Sequence, residues 1–475
     1  MAGLISYGAY IPFYRLSRAE IARAWGAAAS PGERAVANYD EDSLTMALAA
    51  ALDCIKGIAS ASIGGLYFAS TTAPYREKQC ATTIATVLGL PPEAVTMDFS
   101  GSLRSGTNAL KAAADAVDGG AAQSILVCVA DARPAYPFGA NETTFGDGAA
   151  ALLVGKSGLI AEITDFHTRH YEIQDVWRSD RDIFVRNAED RFAMEEGYLE
   201  VVIDSIAAFL SKSGLTARDF SRVALYSPNQ RQLRTVTQKL GFDDKTQVQD
   251  ILHASVGDTG SAMSVMSLVA VLEQAGAGER LLLASYGNGC DLFLLQTTAL
   301  IAGARDRRGI RRNLASKSMI SNYNKYLRWR ELVQVQPPAR PPVELRQPTP
   351  MAQWREAHRE LRLTGTRCQN CGTPQYPPQR ICIVCRTKDR FEPYTFFDKP
   401  SRVFSFSHDY VMQTVDPPVT VTVVDFEGGG RLMCDMTDRD PDTVKVGMPL
   451  EMTFRRLYYV GGIYNYWWKC QPVRC

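Results

Sequence analysis

The first 300 residues contain the same series of predicted elements twice, with an offset of about 155 residues at three of four landmarks. The landmarks are an apolar strand, a helix that opens with small residues, and two more apolar strands. In the first copy they stand at residues 66–70, 105–107, 125–129 and 149–154. In the second copy they stand at 223–226, 259–262, 281–284 and 292–295. Apolar strands that alternate with helices are typical of a largely parallel sheet between helices. Small residues let two helices approach closely. The repeat therefore predicts a duplicated α/β domain with a central helix pair.

The composition narrows the class of protein further. Hydrophobic residues make up 46% of the chain and charged residues 22%, which argues against long disordered segments. The formal net charge is +1, so no global field attracts nucleic acid or an anionic membrane. We see no apolar run long enough for a membrane span and no secretory signal. We therefore expect a cytoplasmic protein that binds neither nucleic acid nor a membrane.

A change of composition near residue 303 predicts several segments. A Pro-rich stretch at 335–342 is typical of an extended spacer, and alternating residues at 419–424 are typical of strands in a small β domain. The predicted segments are the two halves of the duplicated domain at 1–155 and 156–335, a Pro-rich linker at 336–353, a helix and cysteine cluster at 354–395 and a β domain at 396–475.

Four of the eleven cysteines form a metal-binding pattern. They are two CxxC pairs separated by ten residues, Cys368 with Cys371 and Cys382 with Cys385. Each pair places two thiolates on one knuckle turn, and two knuckles complete a tetrahedron around Zn²⁺. Because all four ligands come from the protein, we predict structural zinc, with iron or four reduced core cysteines as the alternatives.

Residues 8–25, GAYIPFYRLSRAEIARAW, resemble the amino-terminal signature of archaeal-type HMG-CoA synthases, which are members of the thiolase superfamily. The resemblance extends to about residue 335, through residues 285–289 and 322–326. It implies the five-layered αβαβα thiolase fold, a coenzyme A thioester as substrate or ligand, and a homodimer formed by this domain. The tail is similar to thiolase-associated modules in which a zinc ribbon precedes an OB-fold β-barrel.

The same resemblance implies where the catalytic groups should stand. The family carries a cysteine four residues before the Thr of a Gly-Thr pair, a histidine in an H-x-P-N motif and a glutamate. Leu103, Tyr226 and Thr71 occupy these three positions here. Leucine cannot form an acyl-enzyme, so a condensation through this position is excluded. We expect altered or abandoned chemistry.

Other residues could take over part of the chemistry. Tyr226 could exchange a proton with a β-hydroxyl, as retro-aldol cleavage requires, or it could be a buried structural tyrosine. Thiolase-like steroid side-chain aldolases are similar in using tyrosines instead of cysteine. Asp258 and His253 are the candidate acid and base beside it, although a structural histidine is an alternative. Ser102 is adjacent to Leu103, but one residue turns a helical side chain by about 100°.

Two further sets of residues have competing interpretations. Asn229, Arg231 and Arg234 stand where the family places pantetheine and phosphate contacts, and two guanidiniums could pair with phosphate oxygens; a solvated helix face is the alternative. Three cysteines are interpreted as small packing residues, with a role in the site as the alternative for Cys290: Cys80, Cys128 and Cys290.

Three functions remain open at this point. The first is a degenerate HMG-CoA synthase-like protein that binds acyl-CoA, lacks the Cys/His/Glu trio and acts with a separate thiolase subunit in carbon–carbon bond formation or cleavage. The second is a cysteine-independent aldolase that acts on a β-hydroxyacyl-CoA with Tyr226 as acid or base. The third is a scaffold that binds no acyl-CoA.

Overall fold

The computed structural model describes residues 1–336 and 350–474. They form two compact units. One is Met1–Ala37 with Asp42–Ala85 and Leu90–Tyr323, and the other is Asn38–Glu41 with Thr86–Gly89 and the described residues from Asn324 onward. Most of the Pro-rich linker predicted at 336–353 lies outside the described residues. In the described part of the chain, no helix is long and apolar enough to cross a membrane.

The helices and strands follow the predicted landmarks closely. The helices are α1 Arg18–Trp25, α2 Ser43–Cys54, α3 Cys80–Leu88, α4 Ser105–Asp118, α5 Ala140–Thr144, α6 Asp190–Phe192, α7 Glu200–Ser213, α8 Gln230–Leu240, α9 Met263–Leu272, α10 Gly309–Ala315, α11 Tyr323–Trp329 and α12 Pro350–Glu360. The strands of the first unit are β1 Gly3–Tyr10, β2 Tyr14–Ser17, β3 Glu33–Val36, β4 Gly65–Ala69, β5 Val95–Phe99, β6 Ser124–Ala132, β7 Asp147–Gly155, β8 Ala161–His170, β9 Val176–Trp177, β10 Arg186–Asn187, β11 Arg222–Leu225, β12 Arg280–Tyr286, β13 Gly289–Thr297 and β14 Ser318–Met319. Those of the second unit are β15 Thr364–Cys368, β16 Pro374–Gln375, β17 Phe391–Thr395, β18 Ser401–Asp409, β19 Val419–Phe426, β20 Arg431–Met436, β21 Pro449–Val460 and β22 Ile463–Pro472.

The large sheet of the first unit repeats one strand order. The first copy runs β1-β7-β6-β4-β5, and the second runs β8-β13-β12-β11. In both copies the first two pairings are antiparallel and the next is parallel. The copies meet through two residue pairs of β1 and β8, Gly3 with Glu162 and Leu4 with Ala161. The duplication predicted from the sequence is present in the topology.

The sheet is mixed, so the expectation of a largely parallel sheet is wrong. β6 and β7 are antiparallel neighbours, and so are β12 and β13. Tyr286, at the end of β12, is followed within three residues by Gly289, at the start of β13. Such a short connection can join only antiparallel strands, because a parallel pair needs a crossover of about a dozen residues or more. Cys290 lies in β13.

Helices separate the two halves of the large sheet in the order that a five-layered α/β domain requires. α2 packs on β1 and β7, α4 and α9 lie in the centre, and α7 packs on β13 and β8. A Cβ at Gly106 in α4 would stand 2.8 Å from the carbonyl oxygen of Ser261 and 3.0 Å from a methyl of Val129. The close approach of the central helices therefore requires glycine, as the small residues at the helix starts predict.

The second unit contains a small sheet and a closed barrel. The small sheet has the order β16-β15-β17, and the barrel has the order β18-β19-β20-β22-β21. Large buried side chains such as Phe454 and Trp468 fill the barrel, with ring centroids 5.3 Å apart. A closed barrel of five strands is the architecture of an OB-fold, as the resemblance of the tail implies.

A buried ionic cluster also belongs to the second unit. Arg455 forms ion pairs with Asp40, Glu41 and Asp438, and Lys469 forms one with Asp40 at 3.0 Å. Burial alone would raise the pKa of the Asp40 carboxyl, but the charges of Lys469 and Arg455 hold it below its usual value. The cluster therefore keeps opposite charges paired inside the unit.

Candidate functional site

The four cysteines of the CxxC pairs lie together. Their sulfur atoms are all within 4.8 Å of one another, with Cys368 and Cys385 at 3.6 Å and Cys371 and Cys382 at 3.5 Å. Zn–S bonds of about 2.3 Å in a tetrahedron place sulfur atoms about 3.8 Å apart, so this donor set fits zinc. Gly372, with φ of 74°, closes the first knuckle by donating its N–H to the Cys368 carbonyl at 2.8 Å. A site with four protein thiolates has no open position for substrate.

Leu103 stands at the amino end of the central helix α4. Its side chain is half-buried and packs against the core of the first unit. A Cβ at Gly287 would stand 3.0 Å from the Leu103 Cβ. Arg104 holds this loop by donating to the Gly287 carbonyl at 2.6 Å and to Asp291 at 2.7 Å. An aliphatic side chain thus occupies the position where the resemblance implies a sulfur.

The Ser102 hydroxyl is engaged elsewhere. It donates to the Gly287 carbonyl at 2.9 Å. Cys80, Cys128 and Cys290 are buried, and burial raises the pKa of the Cys80 and Cys290 thiols to about 12. A thiol with so high a pKa is a poor nucleophile at neutral pH, because the thiolate is the reactive form. These contacts support the packing interpretation of all three cysteines.

Thr71 lies in a loop that one carboxylate holds in place. Asp131 accepts hydrogen bonds from the Thr71 N–H at 2.7 Å, the Ser70 hydroxyl at 2.9 Å and the Thr72 hydroxyl at 2.9 Å. It also accepts from the N–H and hydroxyl of Ser261, directly before α9, at 2.8 and 2.7 Å. Asp131 therefore ties the loop after β4 to the start of the second central helix. Sequence reasoning missed this residue, since no local motif marks it.

Tyr226 and Asp258 form a buried hydrogen bond. The Tyr226 hydroxyl donates to Oδ2 of Asp258 at 3.1 Å, and Arg133 donates to the same oxygen at 3.0 Å. The other oxygen of Asp258 accepts from the Gly260 N–H at 2.8 Å. Burial and the negative charge of Asp258 raise the pKa of Tyr226 well above its usual value. The phenol is therefore neutral and remains a proton donor at physiological pH.

His253 lies next to this group but makes a different contact. Its Nε2 is 2.9 Å from the Ser227 carbonyl oxygen. Because a carbonyl oxygen only accepts, Nε2 carries the proton and Nδ1 carries the lone pair. Burial lowers the pKa of His253, although the charge of Asp258 opposes this shift. The imidazole is neutral and can accept a proton at Nδ1.

A second tyrosine and carboxylate lie beside the first pair. The Tyr286 hydroxyl donates to Oδ2 of Asp175 at 2.6 Å. The rings of Tyr226 and Tyr286 have centroids 6.4 Å apart and an interplanar angle of 20°. Burial and the charge of Asp175 raise the pKa of Tyr286. Tyr286 lies in the segment 285–289 that contributes to the resemblance, whereas no motif in the sequence marks Asp175.

The residues expected to contact coenzyme A lie on the surface. Asn229 is the N-cap of α8 and accepts from the Gln232 N–H at 2.9 Å. Arg231 and Arg234 are exposed on α8, three residues apart and therefore on one face. Within residues 1–336 and 350–474, neither guanidinium forms an ion pair. Asn229 has a structural role in capping, and the two arginines leave their charge in solvent.

Family models match four parts of the chain. The model for 3-oxoacyl-[acyl-carrier-protein (ACP)] synthase III matches residues 97–171, and the model for the C terminal of this synthase matches 210–293. The models for the ChsH2 rubredoxin-like zinc ribbon domain and the ChsH2 C-terminal OB-fold domain match 355–390 and 401–455. The expected zinc ribbon and OB-fold are thereby confirmed.

Known proteins resemble about two thirds of the chain. The hydroxymethylglutaryl-CoA synthase of Thermococcus onnurineus (strain NA1) is 32% identical over 333 residues, which are 68% of this chain and 93% of that protein. The corresponding enzyme of Methanothermobacter thermautotrophicus is 32% identical over 317 residues, 64% of this chain and 91% of that protein.

Solved structures show the same fold. MvaS in complex with 3-hydroxy-3-methylglutaryl coenzyme A has a TM-score of 0.64 and 22% identity, over 72% of this chain and 94% of that one. An HMG-CoA synthase complexed with CoA has a TM-score of 0.63 and 18% identity, over 73% and 95% of the two chains. The expected thiolase fold is confirmed. The chain therefore belongs to the hydroxymethylglutaryl-CoA synthase family, and a zinc ribbon and an OB-fold follow its synthase-like domain.

Proposed function

We propose that the chain binds an acyl-CoA and takes part in forming or cleaving a carbon–carbon bond without carrying the acyl group itself. The observation that carries this proposal is Leu103, an aliphatic side chain packed at the amino end of α4. The other two positions of the synthase trio, Tyr226 and Thr71, also lack the family's side chains. A protein without a nucleophile at this helix end cannot form the covalent intermediate of a condensing enzyme.

A separate thiolase subunit would supply the missing cysteine. In this arrangement the chain acts in the cytoplasm as part of a complex. It holds acyl-CoA next to the catalytic cysteine of the thiolase subunit. Zinc in the four-cysteine cluster has a structural role, because the cluster has no open position. The role of coenzyme A is supported by relatives that were solved with CoA or 3-hydroxy-3-methylglutaryl coenzyme A.

Two surfaces of the synthase-like unit support these contacts. Arg231 and Arg234 on α8 offer two exposed guanidiniums for phosphate oxygens of coenzyme A. β5 is the terminal strand of the large sheet, and its residues Val95 and Met97 are 37% and 43% exposed. An apolar edge strand is suited to pairing with another copy, so we expect a homodimer with twice the chain mass in light scattering.

The decisive experiment exposes the purified full chain to a radiolabelled or heavy acyl-CoA and examines it by mass spectrometry. In a separate thermal denaturation experiment we expect acyl-CoA to raise the melting temperature of the chain, since a ligand that binds the native state stabilises it. We expect no covalent adduct. Robust condensation by the chain alone, or a thioester on any of its residues, would contradict the proposal.

A second candidate function is a cysteine-independent aldolase, and the buried pair of Tyr226 and Asp258 favours it. In retro-aldol cleavage a base takes the proton of the β-hydroxyl, the Cα–Cβ bond breaks, and its electron pair passes to Cα as a thioester enolate. A proton then returns to Cα. Asp258 or His253 Nδ1 would accept the first proton, and the neutral Tyr226 phenol would donate the second; the proton held by the base would then pass to the phenolate and restore the starting state.

A further inference from the structure

The first unit also has a cavity with aromatic side chains in its wall. It has a volume of about 330 Å³ and lies between the loop after β6 and the segment that contains β9 and β10. Tyr136, Trp177 and Val185 line it, and the two aromatic side chains are 48% and 38% exposed. The Tyr136 ring is fixed by Phe184, with centroids 4.3 Å apart. The volume is at the lower end of the range for small-molecule sites.

One short segment connects this cavity to the candidate site. Asp175 accepts the hydrogen bond of Tyr286 at 2.6 Å. Trp177, two residues later, forms a wall of the cavity. Arg178, the next residue, donates to the Thr71 carbonyl at 2.8 Å. Trp177 therefore lies between Asp175, which contacts Tyr286, and Arg178, which contacts the loop that contains Thr71.

A second chain of contacts leads to Tyr226. Val185 packs in one small cluster with Ala135 and Phe145. The guanidinium carbon of Arg133 stands 3.9 Å from the centroid of the Phe145 ring. Arg133 in turn pairs with Asp258, which accepts from Tyr226. Phe145 thus connects the apolar lining of the cavity to the buried charge pair of the site.

The polar groups at the cavity rim are already paired. The side-chain amide of Asn187 donates to that of Asn141 at 2.9 Å. The guanidinium of Arg186 pairs with Asp182 at 2.6 Å. A carboxylate entering this rim would compete with Asp182 for the Arg186 guanidinium, whereas an uncharged ring can pack on Tyr136, Trp177 and Val185 and needs neither polar pair.

We propose that this cavity binds the distal part of the acyl group and that this part is an uncharged aromatic ring. The inference rests on the proposed binding of acyl-CoA and adds the chemical class of the substrate. It distinguishes this chain from a protein that binds a 3-hydroxy-3-methylglutaryl group, which ends in a carboxylate. Trp177 and Tyr136 would contact the ring by offset or edge packing.

The test compares three thioesters that differ only at the end of the acyl chain: 3-phenylpropanoyl-CoA, propanoyl-CoA and succinyl-CoA. Titration calorimetry on the full chain should give an affinity about tenfold higher for the phenyl compound than for the other two. Trp177→Ala should remove this advantage and leave the affinity for propanoyl-CoA unchanged. Phe192→Ala is the matched control, because Phe192 is 45% exposed and does not line the cavity.

The outcomes separate the two proposals. If none of the three thioesters binds, acyl-CoA binding itself is wrong and the ring site falls with it. If all three bind equally, if succinyl-CoA binds most tightly, or if Trp177→Ala weakens all three alike, the ring site is wrong while acyl-CoA binding stands. Equal affinity for 3-cyclohexylpropanoyl-CoA would refute the aromatic preference.

Discussion

At the scale of single residues, the aldolase candidate depends on one hydroxyl group. Tyr226→Phe keeps the ring contacts with Tyr198 and Tyr286. It removes the Tyr226 hydroxyl, which donates a hydrogen bond to Asp258. Because general acid–base catalysis contributes about 10²–10⁴-fold, we expect cleavage of a β-hydroxyacyl-CoA to slow by that factor. Turnover measured by release of the carbonyl product checks this.

The control for this variant is Tyr67→Phe. Tyr67 is also buried in the first unit, 3% exposed, and packs against Phe99. Removing the Tyr67 hydroxyl should leave the turnover of the β-hydroxyacyl-CoA unchanged. If the Tyr226 variant retains the rate of the native chain, the tyrosine is structural and the aldolase candidate is rejected.

Asp40 gives a pH-dependent prediction at the same scale. The charges of Lys469 and Arg455 hold its folded-state pKa below its value in the unfolded chain. The cluster therefore stabilises the protein above the unfolded-state pKa of about 3.9, and this contribution is lost as the pH falls through the lower folded-state value. Asp40→Asn should lower the free energy of unfolding at pH 7 by about 3–5 kcal/mol, because it leaves Lys469 buried without its charge partner.

Urea titrations of the native chain and of Asp40→Asn between pH 7 and pH 3 measure this effect. The variant should lose less stability on acidification than the native chain. Asp398→Asn is a suitable control, since the Asp398 and Lys399 pair is solvent-exposed and its loss should change stability by less than about 1 kcal/mol. If the free energy of unfolding falls with pH in parallel for the native chain and Asp40→Asn, the stabilising role of the Asp40 charge is wrong.

At the scale of elements, the central helix pair depends on the absence of a side chain at Gly106. A Cβ there would stand 2.8 Å from the carbonyl oxygen of Ser261. Gly106→Val should therefore push α4 away from the start of α9 and cost about 1–3 kcal/mol as an overpacked core substitution. Chemical denaturation checks this, with Asn108→Ala at an exposed position of the same helix as the control. Equal stability of the two variants would mean that α4 moves freely to accommodate the larger side chain.

The elements themselves could be predicted from the sequence because their signals are local. Apolar runs and small residues identified the starts of β4, β6, β12 and α4 to within one residue. The strand directions could not be predicted as well, because apolar character does not distinguish a buried antiparallel strand from a parallel one. The contacts of Asp131 and Asp175 join residues 60 and 111 positions apart, and no spacing rule reports such pairs.

At the scale of the whole molecule, the metal cluster should decide whether the ribbon folds. A structural zinc site contributes its binding free energy to folding, so removing the metal should unfold the segment around Cys368 and Cys382. We expect one zinc per chain by elemental analysis of the full protein. A strong chelator should release it and make the segment 364–395 sensitive to protease.

Cys382→Ser should reproduce the chelated state, with less than one zinc per chain and the same cleavage pattern. Cys434→Ala is the matched control, because Cys434 is also buried in the second unit but lies outside the cluster and should leave the zinc content unchanged. Full zinc occupancy in Cys382→Ser would show that the metal is held elsewhere. Acyl-CoA binding is assigned to the first unit, so Cys382→Ser should keep the higher affinity for the phenyl thioester. This result would separate the structural role of zinc from the binding of the thioester.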